Sequence, residues 1–247
     1  MSSVGGAAGH YLTRLEALVR ALRVGQGDSI DAAATLVAES IAVGRRVWAA
    51  PTSHVLHTEL VMRAGGLAAV HAPGDGQDLT SPMIKQEAGV LIGDGEFEPE
   101  AGDIVLVGTN AGTDAGTVEV ALVARRAGLR IVALTNLAYE CWPDVVKEHP
   151  TGAVLSDLAD VVVDIGGAIG DSEVTITGIP EPLGPSSGAL LVAAAWAILV
   201  AAAERLAAAG TPPIVYRSVQ LPGGEELFHT LRARYRATRR GTVDAPD

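Results

Sequence analysis

The spacing of apolar residues changes character once along the chain. Up to Gly44 they recur every three or four positions, the period of an amphipathic helix. In "YLTRLEALVRAL" Leu12, Leu15, Leu18, Val19 and Leu22 follow that period, and in "DSIDAAATLVAESIAVG" Ile30, Ala33, Ala34, Val37 and Ile41 share one face. The pattern predicts two helices, the second with Asp28 as N-cap and Gly44 as its stop. Each has one apolar stripe, so both are expected to pack on something larger.

After Gly44 the runs become short, continuous and rich in Val and Ile. "RRVWAA", "LAAVHA", "DIVLVG", "LRIVALT" and "ADVVVDI" alternate with helical stretches, among them one through Glu59 and Met62 and one from about Thr113 to Ala127. Runs of this kind, apolar on both faces, predict a parallel sheet covered by helices on either side. Right-handed crossovers then gather the loops that follow the strands along one edge, where a ligand site is expected. "ALLVAAAWAILVAAA", residues 189–203, is apolar throughout but shorter than the roughly 20 residues a bilayer needs, and Glu204 and Arg205 close it. It is expected to be a buried core helix. Two connections, 72–102 and 164–188, are dense in Gly, Pro and Asp, and could be lids, subunit contacts or insertions.

Composition narrows the function classes. The 247 residues carry a formal net charge of −11, which disfavours nucleic acid and anionic membranes as partners. One cysteine, Cys141, excludes an internal disulfide and fits a reducing cytoplasm, and Arg14 and Glu16 interrupt the start before a secretory signal could form. No Gly-x-Ser-x-Gly elbow is present, which argues against a serine hydrolase.

The candidate chemistry begins at "IVLVGTNAGTDAGTVEVAL". A strand, a glycine-containing turn and a helix leave unpaired N–H groups beside the positive end of the helix dipole. Thr109, Asn110, Gly112, Thr113 and Thr117 lie in or just after this turn. It is either an anion cradle or a plain structural turn. It has neither the Gly-Lys-Ser/Thr ending of a Walker loop nor the Gly-x-Gly-x-x-Gly dinucleotide fingerprint.

"GTNAGTDAGTVEVALVARRAGLRIVALTN", with the earlier "SHVLHTELVMRAGG" and the later "GDSEV" and "GPSSG", resembles the SIS (sugar isomerase) phosphosugar-binding family, in particular its single-domain members related to phosphoheptose isomerases and N-acetylmuramic acid 6-phosphate etherases. The resemblance runs in order from about Asp28 to about Tyr235. It implies an α/β, three-layer flavodoxin-like fold, a parallel sheet of about five strands flanked by helices. It also implies a sugar or sugar phosphate at the strand carboxyl ends, and a homodimer or homotetramer with the site near the subunit interface. Where the family commonly reads Ser-x-Ser-Gly-x-Thr, Thr109 takes the first hydroxyl position, Ala111 replaces the second and Gly112 keeps the glycine. Against the family's Gly-Ser-Gly-x-Ser after the first strand stands "AAPTS", in which Ser53 alone is retained and Pro51 has no N–H to donate.

Isomerisation needs a base to move a proton between adjacent carbons and a polar group to help the oxygen proton follow. Glu59 and Glu87 both match glutamates of relatives, and each is either the base or a solvent-facing charge. His149, matching a histidine before the last strand, is either the acid–base partner or a surface residue; its ordinary pKa near neutrality suits the first role. His54 and His57 stand near Glu59 but lack a third ligand at diagnostic spacing, so no metal is expected. Asp171, Ser186 and Ser187 are candidates for substrate binding or for capping the last core helix. Cys141 is expected to be incidental.

The reading is one SIS domain over 1–247, with N-terminal helices at 9–43, an α/β core at 45–209 and a C-terminal segment at 210–247. Its expected activity is sugar or sugar-phosphate isomerisation or a related elimination. Glu59, Glu87 and His149 are the catalytic candidates, and Ser53, His54, Thr109, Asn110, Gly112, Thr113, Asp171, Ser186 and Ser187 the substrate-binding ones. No cofactor is expected. A non-catalytic phosphosugar-binding or sensing domain is the alternative.

Overall fold

In the computed structural model, residues 4–73, 84–85, 90–91 and 97–243 are described. The strands are β1 (Val47–Ala49), β2 (Val70–His71), β3 (Ile84–Lys85), β4 (Val90–Leu91), β5 (Ile104–Gly108), β6 (Arg130–Thr135) and β7 (Val161–Asp164). The helices are α1 (Gly6–Gly25), α2 (Gly27–Ala42), α3 (Leu56–Leu60), α4 (Ala115–Arg126), α5 (Leu137–Glu140), α6 (Leu155–Leu158), α7 (Ser187–Ala208) and α8 (Gly224–Thr238).

Five strands form one parallel sheet in the order β2-β1-β5-β6-β7, while β3 and β4 pair as a separate antiparallel ribbon. This is the flavodoxin-like order, with its reversal between β1 and β5. The continuous apolar runs are explained by double-sided burial: Val105, Leu106 and Val107 in β5 and Ile131, Val132, Ala133 and Leu134 in β6 are fully buried. One covering layer pairs α2 with α7, and the other pairs α4 with α6. The apolar stretch within α7 is the expected core helix, its Leu190, Leu191, Ala194, Ala195, Ile198 and Leu199 turned inward.

Several local expectations shift. The N-cap of α2 is Gln26, and Asp28 sits in the first turn, where its charge still faces the positive helix end. α3 is a short helix that stops at Leu60; Met62, two residues later, takes φ of +50°. α4 starts at Ala115 rather than Thr113, because Asp114 caps it by accepting the Thr117 amide at 2.7 Å. Helix α1 begins at Gly6, three residues before the expected boundary.

At the amino edge, fully buried Asp103 accepts hydrogen bonds from the Arg46 amide, the Trp48 indole and the Glu100 amide. A buried carboxylate survives here because its acceptor positions are filled. The opposite, carboxyl edge is left to the loops.

Candidate functional site

The switch point between β1 and β5 is closed by contacts that need small residues. A Cβ on Gly108 would lie 2.2 Å from Leu56 Cδ1, so its absence lets α3 settle against the end of β5. Thr52 donates its hydroxyl to the Gly108 carbonyl at 2.9 Å, tying the loop after β1 to the end of β5. Ser53, in the same loop, accepts the Leu56 amide at 3.4 Å and so helps start α3.

The loop after β5 holds the donors. The Thr109 amide is not one of them: it bonds to the Leu134 carbonyl at 3.0 Å and extends the ladder, which corrects the expectation that it is exposed. Among the described residues, the next five amides, Asn110 to Asp114, have no hydrogen-bond partner. Their carbonyls are partly engaged, since Asn110 O accepts Asn136 N, Gly112 O accepts Leu155 N and Thr113 O accepts Glu148 N. The loop is thus held from outside by its acceptors while its donors stay available, the arrangement of an anion-binding nest. Gly112 makes the turn with φ of +66°. Thr109 and Thr113 are buried, and their hydroxyls make no hydrogen bond among the described residues.

Beneath the loop lies Glu140, which the sequence reading missed. It is 3% exposed, and a Cβ on Gly112 would stand 1.9 Å from its Oε1. Thr135 donates to Oε1 at 2.7 Å, and the amide and hydroxyl of Ser156 donate to Oε2. Burial pushes its carboxyl above the usual range against the opposing hydrogen bonds from Ser156 and Thr135, and nearby Asp157 adds to the rise. Asn136, also missed, is fully buried and stitches the edge together: its N–H reaches Asn110 O, and its Nδ2 donates to Gly167 O at 3.2 Å. The signal for both was position. A polar residue ending an apolar strand, and a glutamate one turn later, face the carboxyl edge.

Asp171, Ser186 and Ser187 do come together, but with one another. Asp171, held at φ of +52°, receives the amides of Ser186 and Ser187 and the Ser187 hydroxyl. Ser186, the N-cap of α7, makes no capping bond with its own side chain; its hydroxyl donates to Glu173 Oε1 at 2.8 Å. Burial raises the Glu173 carboxyl, but hydrogen bonds from the Ala168 amide, Ser186 and Arg14 outweigh it and hold the group below the usual range.

The proton-transfer candidates are dispersed. Glu59 is half exposed and pairs with Arg63 one turn on. His57 is buried with no partner for its Nδ1 among the described residues, and His54 is exposed. His149 bridges Thr151 Oγ1 at 2.8 Å and Glu119 Oε2 at 3.2 Å on α4. Arg126, bonded to the same Glu119, is the main reason that this carboxyl lies below its usual range, with His149 contributing. His149 follows Glu148, whose carboxylate accepts the Ala115 amide at the start of α4, so its loop borders the nest. Glu87 lies outside the described residues.

The chain matches the SIS domain family over residues 10–136. It is similar to a UPF0309 protein of Streptomyces coelicolor, 33% identical over 239 residues that cover 92% of this chain and 94% of that one. A UPF0309 protein of Brucella canis is also 33% identical, over 236 residues covering 92% and 95%. Among solved structures, the phosphoheptose isomerase of Neisseria gonorrhoeae superposes with a TM-score of 0.50 at 12% identity, covering 79% of this chain and 94% of that one. An E. coli CFT073 protein, solved as a ligand complex, does so with a TM-score of 0.50 at 13% identity, covering 80% and 89%. At these identities the structural likeness is one of fold.

Proposed function

We propose that this chain, which belongs to the SIS domain family, binds a sugar or sugar phosphate at the carboxyl edge of β1 and β5 and isomerises it by proton transfer. The observation that carries this reading is the run of five amides, Asn110 to Asp114, unpartnered among the described residues at the switch point of the sheet. The family, and the sugar-related name of a solved protein sharing the fold, support the substrate class.

In this reading the loop amides and the hydroxyls of Thr109 and Thr113 hold the anionic or hydroxylated end of the ligand, with Ser53, His54 and Asn110 at its margin. Glu59 or Glu87 takes a proton from the carbon next to the carbonyl, and His149 carries the oxygen-bound proton. Asp171 acts through Ser186 and Ser187, shaping the start of α7. The same base and acid would serve a related elimination. Self-association is part of the proposal, as a homodimer or homotetramer. Its support is α7, apolar on its outward side too, where Val200 is 65% exposed.

The Glu59–Arg63 pair, at the surface, favours a second reading in which the domain binds a phosphosugar without turning it over. Thermal shifts against hexose, heptose and amino-sugar phosphates, beside the free sugars, identify a stabilising ligand. NMR in deuterated water then follows exchange at its carbon-bound protons. Exchange that disappears in Glu59→Gln or Glu87→Gln while the thermal shift persists assigns the base. A stabilising ligand that never exchanges establishes the binding domain, and a panel with no stabilising member removes the carbohydrate reading.

A further inference from the structure

The carboxylate of Glu140 has no part in that proton transfer, yet it lies directly under the donor loop. It is almost fully buried, its four-residue helix α5 follows β6 directly, and the backbone of Gly112 rests on its Oε1. An anion accepting the Gly112 amide at about 2.9 Å is separated from this carboxylate by little more than the thickness of the peptide chain. Among the described residues no cation offsets the charge: the partners of Glu140 are Thr135 and Ser156, both neutral, and the charged neighbour that it feels is another acid, Asp157 on α6. Further acids crowd the same edge. Asp114 and Glu148 fill the start of α4, and Asp164, at the end of β7, accepts the Leu137 amide at the start of α5.

We propose that Glu140 determines what charge the donor loop accepts: ionised, it opposes a dianionic phosphate, so that a phosphate group binds there only with uptake of one proton by this side chain. The proposal rests on the reading of the loop as the ligand cradle. The resting loop is matched to the uncharged, hydroxyl-rich part of a sugar, and phosphate esters gain affinity as the pH falls. The direction agrees with the burial that already favours the protonated carboxyl.

Inorganic sulfate, a dianion that does not itself titrate near neutrality, is the probe. Its affinity for the full chain is measured by isothermal titration between about pH 5 and 8, in the wild type and in Glu140→Gln. Every other titrating group is common to both proteins, so the difference between the two is what is read. The wild type is expected to lose affinity with rising pH more steeply, by up to one proton per sulfate. Near pH 8, Glu140→Gln is expected to bind about tenfold more tightly, the effect of one like charge removed at close range. Ser156→Ala removes a hydroxyl that favours the ionised form, and so should move the wild-type transition to higher pH. Equal affinities and parallel profiles in wild type and Glu140→Gln overturn the proposal and leave the anion cradle standing. Absence of sulfate binding in both removes the cradle, and the proposal with it. If Glu140→Gln does not fold, the Ser156→Ala profile decides: an unmoved transition is fatal.

Discussion

Asp171 grips the start of α7 through Ser187 at two points, accepting its amide at 2.9 Å and its hydroxyl at 2.6 Å, and takes the Ser186 amide at 3.0 Å with the same carboxylate. A helix start aimed at the strand edge is an obvious anion site, but here the chain supplies the anion itself. The Asp171→Ala variant leaves these donors without their acceptor and removes a charge from the favourable end of the dipole. It is expected to lose about 1–2 kcal/mol of stability, read by urea unfolding, with Asp171→Asn keeping part of it. An unchanged midpoint in both variants would show that water replaces the carboxylate at no cost.

Gly112 is the residue in the donor loop least open to change. Its φ of +66° and the 1.9 Å approach of Glu140 Oε1 to any added Cβ both exclude a side chain. Gly112→Ala is therefore expected to lose about 1–3 kcal/mol and to abolish ligand-induced thermal shifts. In a Glu140→Ala background the collision with the carboxylate is gone, while the 2.8 Å approach of Thr135 Oγ1 and the backbone cost remain. The double mutant should then be less destabilised than the sum of the two single variants. Strict additivity would place the clash elsewhere.

The Arg14–Glu173 pair links α1 to the loop before α7, with the Glu173 side chain 1% exposed. Because the folded state lowers the Glu173 pKa, its stabilisation is complete above the unfolded value near 4.5 and is lost as pH falls through the folded one. The stability gap between wild type and Glu173→Gln should thus be widest near neutrality, about 1–3 kcal/mol, and close in acid. Glu140 runs the other way: its raised pKa means that stability falls as pH rises from the unfolded toward the folded value. Denaturation curves of Glu173→Gln and Glu140→Gln across the acid range should therefore diverge from wild type with opposite slopes.

Val200, on the outward face of α7, tests self-association. Val200→Asp puts a charge on a 65% exposed position, where a monomer should change by no more than about 0.5 kcal/mol. Light scattering is expected to show a multimer for wild type and a smaller species for Val200→Asp. A wild-type monomer would end the homodimer and homotetramer proposal.

The layers, the parallel sheet and the core helix were legible in the sequence because burial on both faces leaves a continuous apolar signature, as in "IVLVG" and "RIVALT". Periodicity along one segment also marked the turn after β5 and Gly112 within it. It could not say which amides the turn leaves open. The Thr109 amide is taken by Leu134, and Asp171 has closed the start of α7 around Ser186 and Ser187; both bonds join segments distant in the chain. Glu140 and Asn136 matter through neighbours that only the crossovers bring to them, Gly112 and Ser156 for one, Asn110 and Gly167 for the other. Apolar burial is a property each strand carries with it. The pairing of polar groups depends on which loops meet at the sheet edge, and that was decided by the tertiary structure.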